Sequence, residues 1–174
     1  HPWEDYRSFY MAKKDQGGGA LLDESHGIDL IRYLIGEPKG VYAQIRNISD
    51  LEITSDDTAS LNLDFPKGEL VHLNFDLTSR YPRISIEIIC SKGTLIWDRI
   101  DHKIKIFDAS TKEWKEINFT KDDLMSMYYL QAQNFYNCLT SKEKPKIDIK
   151  DALLTQKIID ASFDSSNKNM YISI

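Results

Sequence analysis

The sequence predicts an α+β fold in one domain, residues 1–174: an open, mostly antiparallel β-sheet of about six strands with helices packed on one face. Three observations carry this. A helical repeat runs from Ala20 to about Ile35, strict apolar/polar alternation takes over from Lys39 to Phe119, and two helical stretches follow before a last short strand. The length suits one domain, able to bury roughly two-thirds of the surface its unfolded chain exposes without a disulfide or metal.

Gly17-Gly18-Gly19 punctuates the chain, and the helix that follows stops at Gly36. At helical spacing Leu21, Ile28, Ile31 and Ile35 share a core-facing stripe, while Leu22, His26, Asp29 and Tyr33 fall on nearly the opposite one. Alternating runs at Val41–Ile45, Ala59–Phe65, Leu70–Asp76 and Ile84–Ile89 read as strands of a sheet with one wetter face. Pro66-Lys67-Gly68 joins the second run to the third as a hairpin turn, and Ser91-Lys92-Gly93 leads into Thr94–Trp97. Weaker runs follow at Lys103–Phe107 and Glu113–Phe119. Thr120-Lys121-Asp122-Asp123 reads as a capped helix start, Lys142-Glu143-Lys144-Pro145 as its break, and Ile149 as the start of a helix reaching about Phe163. Ser165-Ser166-Asn167 is expected to end that helix before a final strand, Tyr171–Ile174.

Composition excludes several function classes. Hydrophobic residues make up 41% and charged residues 28%, a globular profile rather than that of a disordered tail. No run approaches the roughly 20 apolar residues of a membrane span, and His1-Pro2-Trp3-Glu4-Asp5 has no signal-peptide character, so a cytoplasmic protein without a membrane partner is expected. The 27 acidic and 22 basic residues are interspersed and leave a formal charge of −5, which argues against a nucleic-acid partner. Cys90 and Cys138 lack C-x-x-C spacing and read as buried thiols in a reducing compartment. The beginning, with no initiator methionine, reads as the middle of a longer chain.

The segment from Gly17 to Gly36, with Gly17-Gly18-Gly19, Leu21, Asp23, His26 and Asp29, resembles the signature that opens the second domain of the Gfo/Idh/MocA oxidoreductases. The resemblance continues through the hairpin sheet, the turn Arg80-Tyr81-Pro82-Arg83, the strand after Gly93, and the closing helices with Phe135, Pro145, Asp151-Ala152 and Ser165-Ser166. It implies the family's C-terminal domain, similar in fold to that of glyceraldehyde-3-phosphate dehydrogenase. It also implies an N-terminal Rossmann domain, absent from this chain, that binds NAD or NADP. On this resemblance the chain supplies the substrate-binding and oligomerisation half of an oxidoreductase acting on a sugar, sugar derivative or polyol. It forms a homo-oligomer through the open sheet face and is inactive without its partner domain. The lead-in Trp3-Glu4-Asp5-Tyr6-Arg7 is similar to a subgroup of cell-surface sugar biosynthesis.

Oxidising a hydroxyl needs a base, and histidine titrates nearest neutral pH. The resemblance assigns that role to His26, with Asp29 one turn on to orient the ring or bind a substrate hydroxyl, and Asp23 as the family's first carboxylate. Here Asp23 precedes His26 by three positions where the commoner pattern has four, which moves it to the other side of an ideal helix. The bland alternative is that Asp23 caps the helix while His26 and Asp29 are solvated. No metal is expected, since D-x-x-H-x-x-D lacks a fourth convergent ligand. The glycine run is a tight turn rather than a phosphate cradle, and Lys144, in an E-K-P triplet between helices, carries no chemistry. Arg80 and Arg83, and likewise Tyr6 and Arg7, either grip a substrate anion or are ordinary loop residues. Trp97 and Trp114 read as sheet packing or oligomer contacts. The competing function is a non-catalytic binding or assembly module on the same scaffold.

Overall fold

The computed structural model describes residues 5–141 and 143–174; Trp3 and Glu4 of the lead-in and Lys142 of the expected helix break lie outside them. In chain order the described elements are α1 (Ala20–Asp23), α2 (His26–Ile35), β1 (Gly40–Arg46), β2 (Thr58–Asp64), β3 (Leu70–Asp76), β4 (Ser85–Cys90), β5 (Gly93–Asp98), β6 (Lys103–Asp108), β7 (Glu113–Asn118), α3 (Lys121–Thr140), α4 (Ile149–Lys168) and β8 (Ile172–Ser173). Three short 3₁₀ turns precede α1. The chain divides into two compact units, His1–Thr78 with Ile147–Ile174, and Ser79–Lys146.

The first unit is built on a sheet of order β3-β2-β1-β8, antiparallel throughout. Alternation decides which residues face inward: Val41 and Ala43 on β1 and Ala59, Leu61 and Leu63 on β2 are buried, while Gln44 and Asn62 are exposed. Leu21, Ile28 and Ile31 meet these residues together with Phe65, Ile158 and Ile159 in one core, as the helical stripe requires. Burying each such side chain contributes about 1.5–3 kcal/mol.

Two helix expectations are corrected. The predicted helix from Ala20 to Ile35 breaks at Glu24 and Ser25. Ser25 Oγ donates to the Leu22 carbonyl at 2.8 Å, and the N–H groups of Gly27 and Ile28 bond three residues back, to Glu24 and Ser25, tightening the backbone before α2 restarts. Asp23 and His26 therefore sit on different helices, and no ideal-helix angle relates them. The last helix, in turn, does not end at Ser165-Ser166-Asn167 but continues to Lys168 and stops at Asn169, whose φ of 51° is left-handed. These serines stay helical because β8 pairs with β1 only at Gly40 and Val41. Beyond that point Ala43 N–H donates to Ser165 Oγ at 2.9 Å and Ile45 N–H to Ser166 Oγ at 2.8 Å. The hydroxyls stand in for a missing strand.

The second unit is a meander, β4-β5-β6-β7, followed by α3. The expected capped start of α3 is present, and the structure adds a reciprocal bond: Asp123 N–H donates to Thr120 Oγ1 at 3.2 Å, and Thr120 N–H to Asp123 Oδ2 at 2.7 Å. The α+β class and the antiparallel pairing stand, and the described strands form two sheets of four where the sequence suggested one of about six. Local alternation identifies a strand but not its neighbours. No described side chain of this unit is fully buried. Correspondingly Cys90, at the end of β4, is exposed and Cys138 on α3 is half-buried, against the expectation of two buried thiols.

Candidate functional site

The glycine run is dictated by close approach. A side chain on Gly18 would collide with the carbonyl oxygens of Tyr10 and Met11, and one on Gly19, where φ is 137°, would strike the Asp56 carboxylate. Asp56 closes the start of α1: its carbonyl accepts from Ala20 N–H at 2.9 Å and its Oδ2 from Leu21 N–H at 3.0 Å. Carbonyl and carboxylate oxygens thus crowd this turn and its first amides are already engaged, so these residues do not fit a dinucleotide's phosphates. Asp23 is bound into the same turn. Its Oδ1 accepts from Tyr10 Oη at 2.7 Å, which raises the phenol's pKa, and its Oδ2 accepts from Gly19 N–H at 3.2 Å.

His26 opens α2 with its side chain 68% exposed, and its Nε2 lies 3.3 Å from Glu24 Oε2. The carboxylate beside the imidazole is therefore Glu24, which the sequence reading passed over. Glu24 and His26 are two positions apart, a spacing that does not bring side chains together on a helix. Only the break between α1 and α2 does so.

Asp29 has partners of its own. Its Oδ1 accepts from Arg32 Nη1 at 3.0 Å and from Thr155 Oγ1 of α4 at 2.9 Å. Arg32, also missed, is 6% exposed, and all five of its guanidinium N–H donors have partners. Nε and Nη2 hold Glu37 at 2.9 and 2.8 Å, Nη2 also reaches Asp151 Oδ1 at 3.1 Å, and Nη1 serves Asp29 and Thr155 Oγ1, the latter at 2.7 Å. The Glu37 bond first, opposed by burial and reinforced by Asp151, raises the Arg32 pKa and keeps it a cation. The sequence signal was present in part, since Asp29 and Arg32 stand three apart on one helix.

Tyr6 Oη accepts from Glu52 N–H at 3.2 Å, and the ring lines a pocket of about 330 Å³ with Phe9, Met11, Leu51, Ile53 and Leu77. Arg7 is paired with Asp5 through Nε at 2.8 Å and with Glu52 through Nη1 at 2.6 Å, bonds that raise its pKa and lower that of Asp5. Its charge is met before any ligand arrives. Arg80 and Arg83 belong to the second unit, are exposed, and have no hydrogen bond or ion pair among the described residues. There Trp114 stacks obliquely on Phe107, ring centres 5.3 Å apart, and remains 52% exposed. Among the described residues no three His, Cys, Asp or Glu side chains group to hold a metal ion, and no helix is long and apolar enough to cross a membrane.

The family model for the Gfo/Idh/MocA group, described as the oxidoreductase family's C-terminal alpha/beta domain, matches residues 2–174. No curated protein matches the chain. Among solved structures, the chain is similar to the WlbA dehydrogenase from Bordetella pertussis in complex with NADH and UDP-GlcNAcA, with 25% identity and a TM-score of 0.72, over 90% of this chain and 48% of that one. The oxidoreductase domain protein from Kribbella flavida shares the fold at 21% identity and a TM-score of 0.82, over 95% and 53%. A levoglucosan dehydrogenase in complex with NADH and levoglucosan does so at 17% identity and a TM-score of 0.80, again over 95% and 53%. The chain spans about half the length of these proteins.

Proposed function

Because the chain belongs to the Gfo/Idh/MocA oxidoreductase family as its C-terminal α/β domain, we propose that it is the substrate-binding and oligomerisation half of an NAD(P)-dependent enzyme oxidising a sugar, sugar derivative or polyol. The observation that carries the reading is His26: an exposed imidazole on the first turn of α2, beside the Glu24 carboxylate, inside the segment that bears the family motif. Such a pair can accept the proton of a substrate hydroxyl and keep the resulting imidazolium oriented. Asp29 serves as a fixed acceptor for a substrate hydroxyl, and Asp23 supports the turn through Tyr10 and Gly19.

Tyr6 and Arg7 of the first unit are assigned to substrate binding, and Arg80 and Arg83, exposed in the second, are assigned the same role with guanidinium groups that have no partner among the described residues. On this reading NAD or NADP is held by the Rossmann domain that the family resemblance implies, and the chain is inactive without it. That the WlbA relative was solved with NADH and UDP-GlcNAcA supports a nicotinamide cofactor and a sugar-like substrate. Exposed Ile89 and Trp114, which the register of β4–β7 places on one face of the second sheet, support homo-oligomer formation through a sheet face, in a cytoplasmic protein.

The test is hydride transfer to NAD and NADP, with a panel of sugars and nucleotide sugars, by the full-length protein and its His26→Ala variant. The expected result is turnover by the wild type that drops by about 100-fold or more in a folded His26→Ala protein. A wild type that binds no dinucleotide and oxidises nothing would leave a binding or assembly module instead.

A further inference from the structure

We infer that Thr155, on α4, is a positioning residue for the site: with Arg32 it clamps one oxygen of Asp29, so that the other is presented as a fixed acceptor for a substrate hydroxyl. This rests on the oxidoreductase reading and deepens it.

The inference follows from counting protons. Arg32 spends its five N–H groups on Glu37, Asp151, Asp29 and Thr155, and the one to Thr155 ends on the hydroxyl oxygen at 2.7 Å. Thr155 Oγ1 therefore acts there as an acceptor, and its own single proton is free to go to Asp29 Oδ1, 2.9 Å away. Arg32, Thr155 and Asp29 close a three-membered ring in which every proton has one place to be. Asp29 Oδ1 receives two donors, while nothing among the described residues donates to Oδ2.

The consequence is mechanical as well as electrostatic. Three carboxylates, Asp29, Glu37 and Asp151, share one buried cation, and Arg32 and Thr155 together fix the orientation of the Asp29 carboxylate. Its side chain is 41% exposed, although Oδ1 is held from two sides. Thr155 lies 126 positions from Asp29 in sequence, so the clamp ties the motif helix α2 to the closing helix α4. A threonine supplies what valine cannot, one acceptor and one donor at a single atom.

The experiment is steady-state kinetics of the full-length enzyme across pH 5–9, comparing wild type with Thr155→Val, Thr155→Ser and Asp29→Asn, with thermal melts to establish folding. Thr155→Val is expected to raise the KM for the sugar by about three- to tenfold, the loss of one hydrogen bond to a charged group, and to leave kcat nearly unchanged. Thr155→Ser should restore the KM, and Asp29→Asn should reproduce the Val defect. A role in packing alone would lower the melting temperature and reduce kcat along with kcat/KM. The assignment is overturned if Thr155→Val leaves KM at the wild-type value, or if Ser fails as Val does. An inactive wild type overturns it too, by removing the oxidoreductase reading beneath it.

Discussion

At Asp57 two effects oppose each other. Full burial disfavours its charge, but Ser49 Oγ, the N–H groups of Ile48 and Ser49, and Thr58 Oγ1 all donate to it, and together they hold the carboxyl below its ordinary value of 3.8. A depressed folded pKa stabilises the protein above the unfolded value and ceases to do so as pH falls through the folded one. Asp57→Asn, which turns N–H groups toward existing donors, is expected to lower unfolding free energy by about 2 kcal/mol at pH 7. Urea denaturation should show that deficit shrinking as pH falls below 3.8 and the wild type progressively loses its own ionised carboxylate. Arg32→Lys tests a different property. A lysine keeps the charge but offers three donors from one atom and cannot span Glu37, Asp151, Asp29 and Thr155 together. Its expected cost, discounted for partners that are partly solvated, is about 1–3 kcal/mol by thermal melt. The sequence showed His26 and Asp29 as polar residues on one stripe, and the structure keeps both on α2. It concealed their separate engagements, because Glu24 reaches His26 only across a helix break and Thr155 reaches Asp29 from a distant segment.

At the scale of elements, the joint between α4 and β1 rests on hydroxyls. Ser165 is fully buried and uses its Oγ twice, accepting from Ala43 N–H and donating to the Met170 carbonyl at 2.6 Å. Ser165→Ala leaves both groups unpaired and is expected to cost about 1–3 kcal/mol, with amide exchange at Ala43 accelerated more than at Leu61 in the sheet centre. The start of α3 makes a milder case: Thr120→Ala removes one half of an exposed capping box, and about 1 kcal/mol of local helix stability should go with it, read as faster exchange over the first turn. The capped start was visible in Thr120-Lys121-Asp122-Asp123 because an N-cap is local. Ser165 and Ser166 suggested a helix end for the same local reason, since serine's hydroxyl competes for backbone bonds. Here that tendency is satisfied by another element, and the helix runs on.

For the whole molecule, the distribution of burial is uneven. Every fully buried side chain among the described residues, from Ala12 to Ser165, belongs to the unit that holds α1, α2, β1–β3, α4 and β8. The unit of β4–β7 and α3 keeps Tyr129, Phe135 and Leu139 of its helix more than 60% exposed. Local stability follows buried apolar contact, so hydrogen exchange in native conditions is expected to protect β1 and β2 longest and to open β7, the fully exposed edge strand of the second sheet, first. Equal protection of the two sheets would contradict this.

The sequence by itself determined the class of fold, the position of nearly every strand and helix, the core stripe of Leu21, Ile28 and Ile31, and a motif specific enough to indicate the family. Each of these is written in patterns a few residues long, where backbone periodicity and side-chain character act directly on their neighbours. Only the tertiary structure decided which strands share a ladder, where the motif helix breaks, that Glu24 rather than Asp23 stands beside His26, and that Arg32 spends its donors on residues as far away as Asp151 and Thr155. Those outcomes depend on hydrogen-bonding groups distant along the chain finding one another once the apolar faces have packed, and no local period records that meeting.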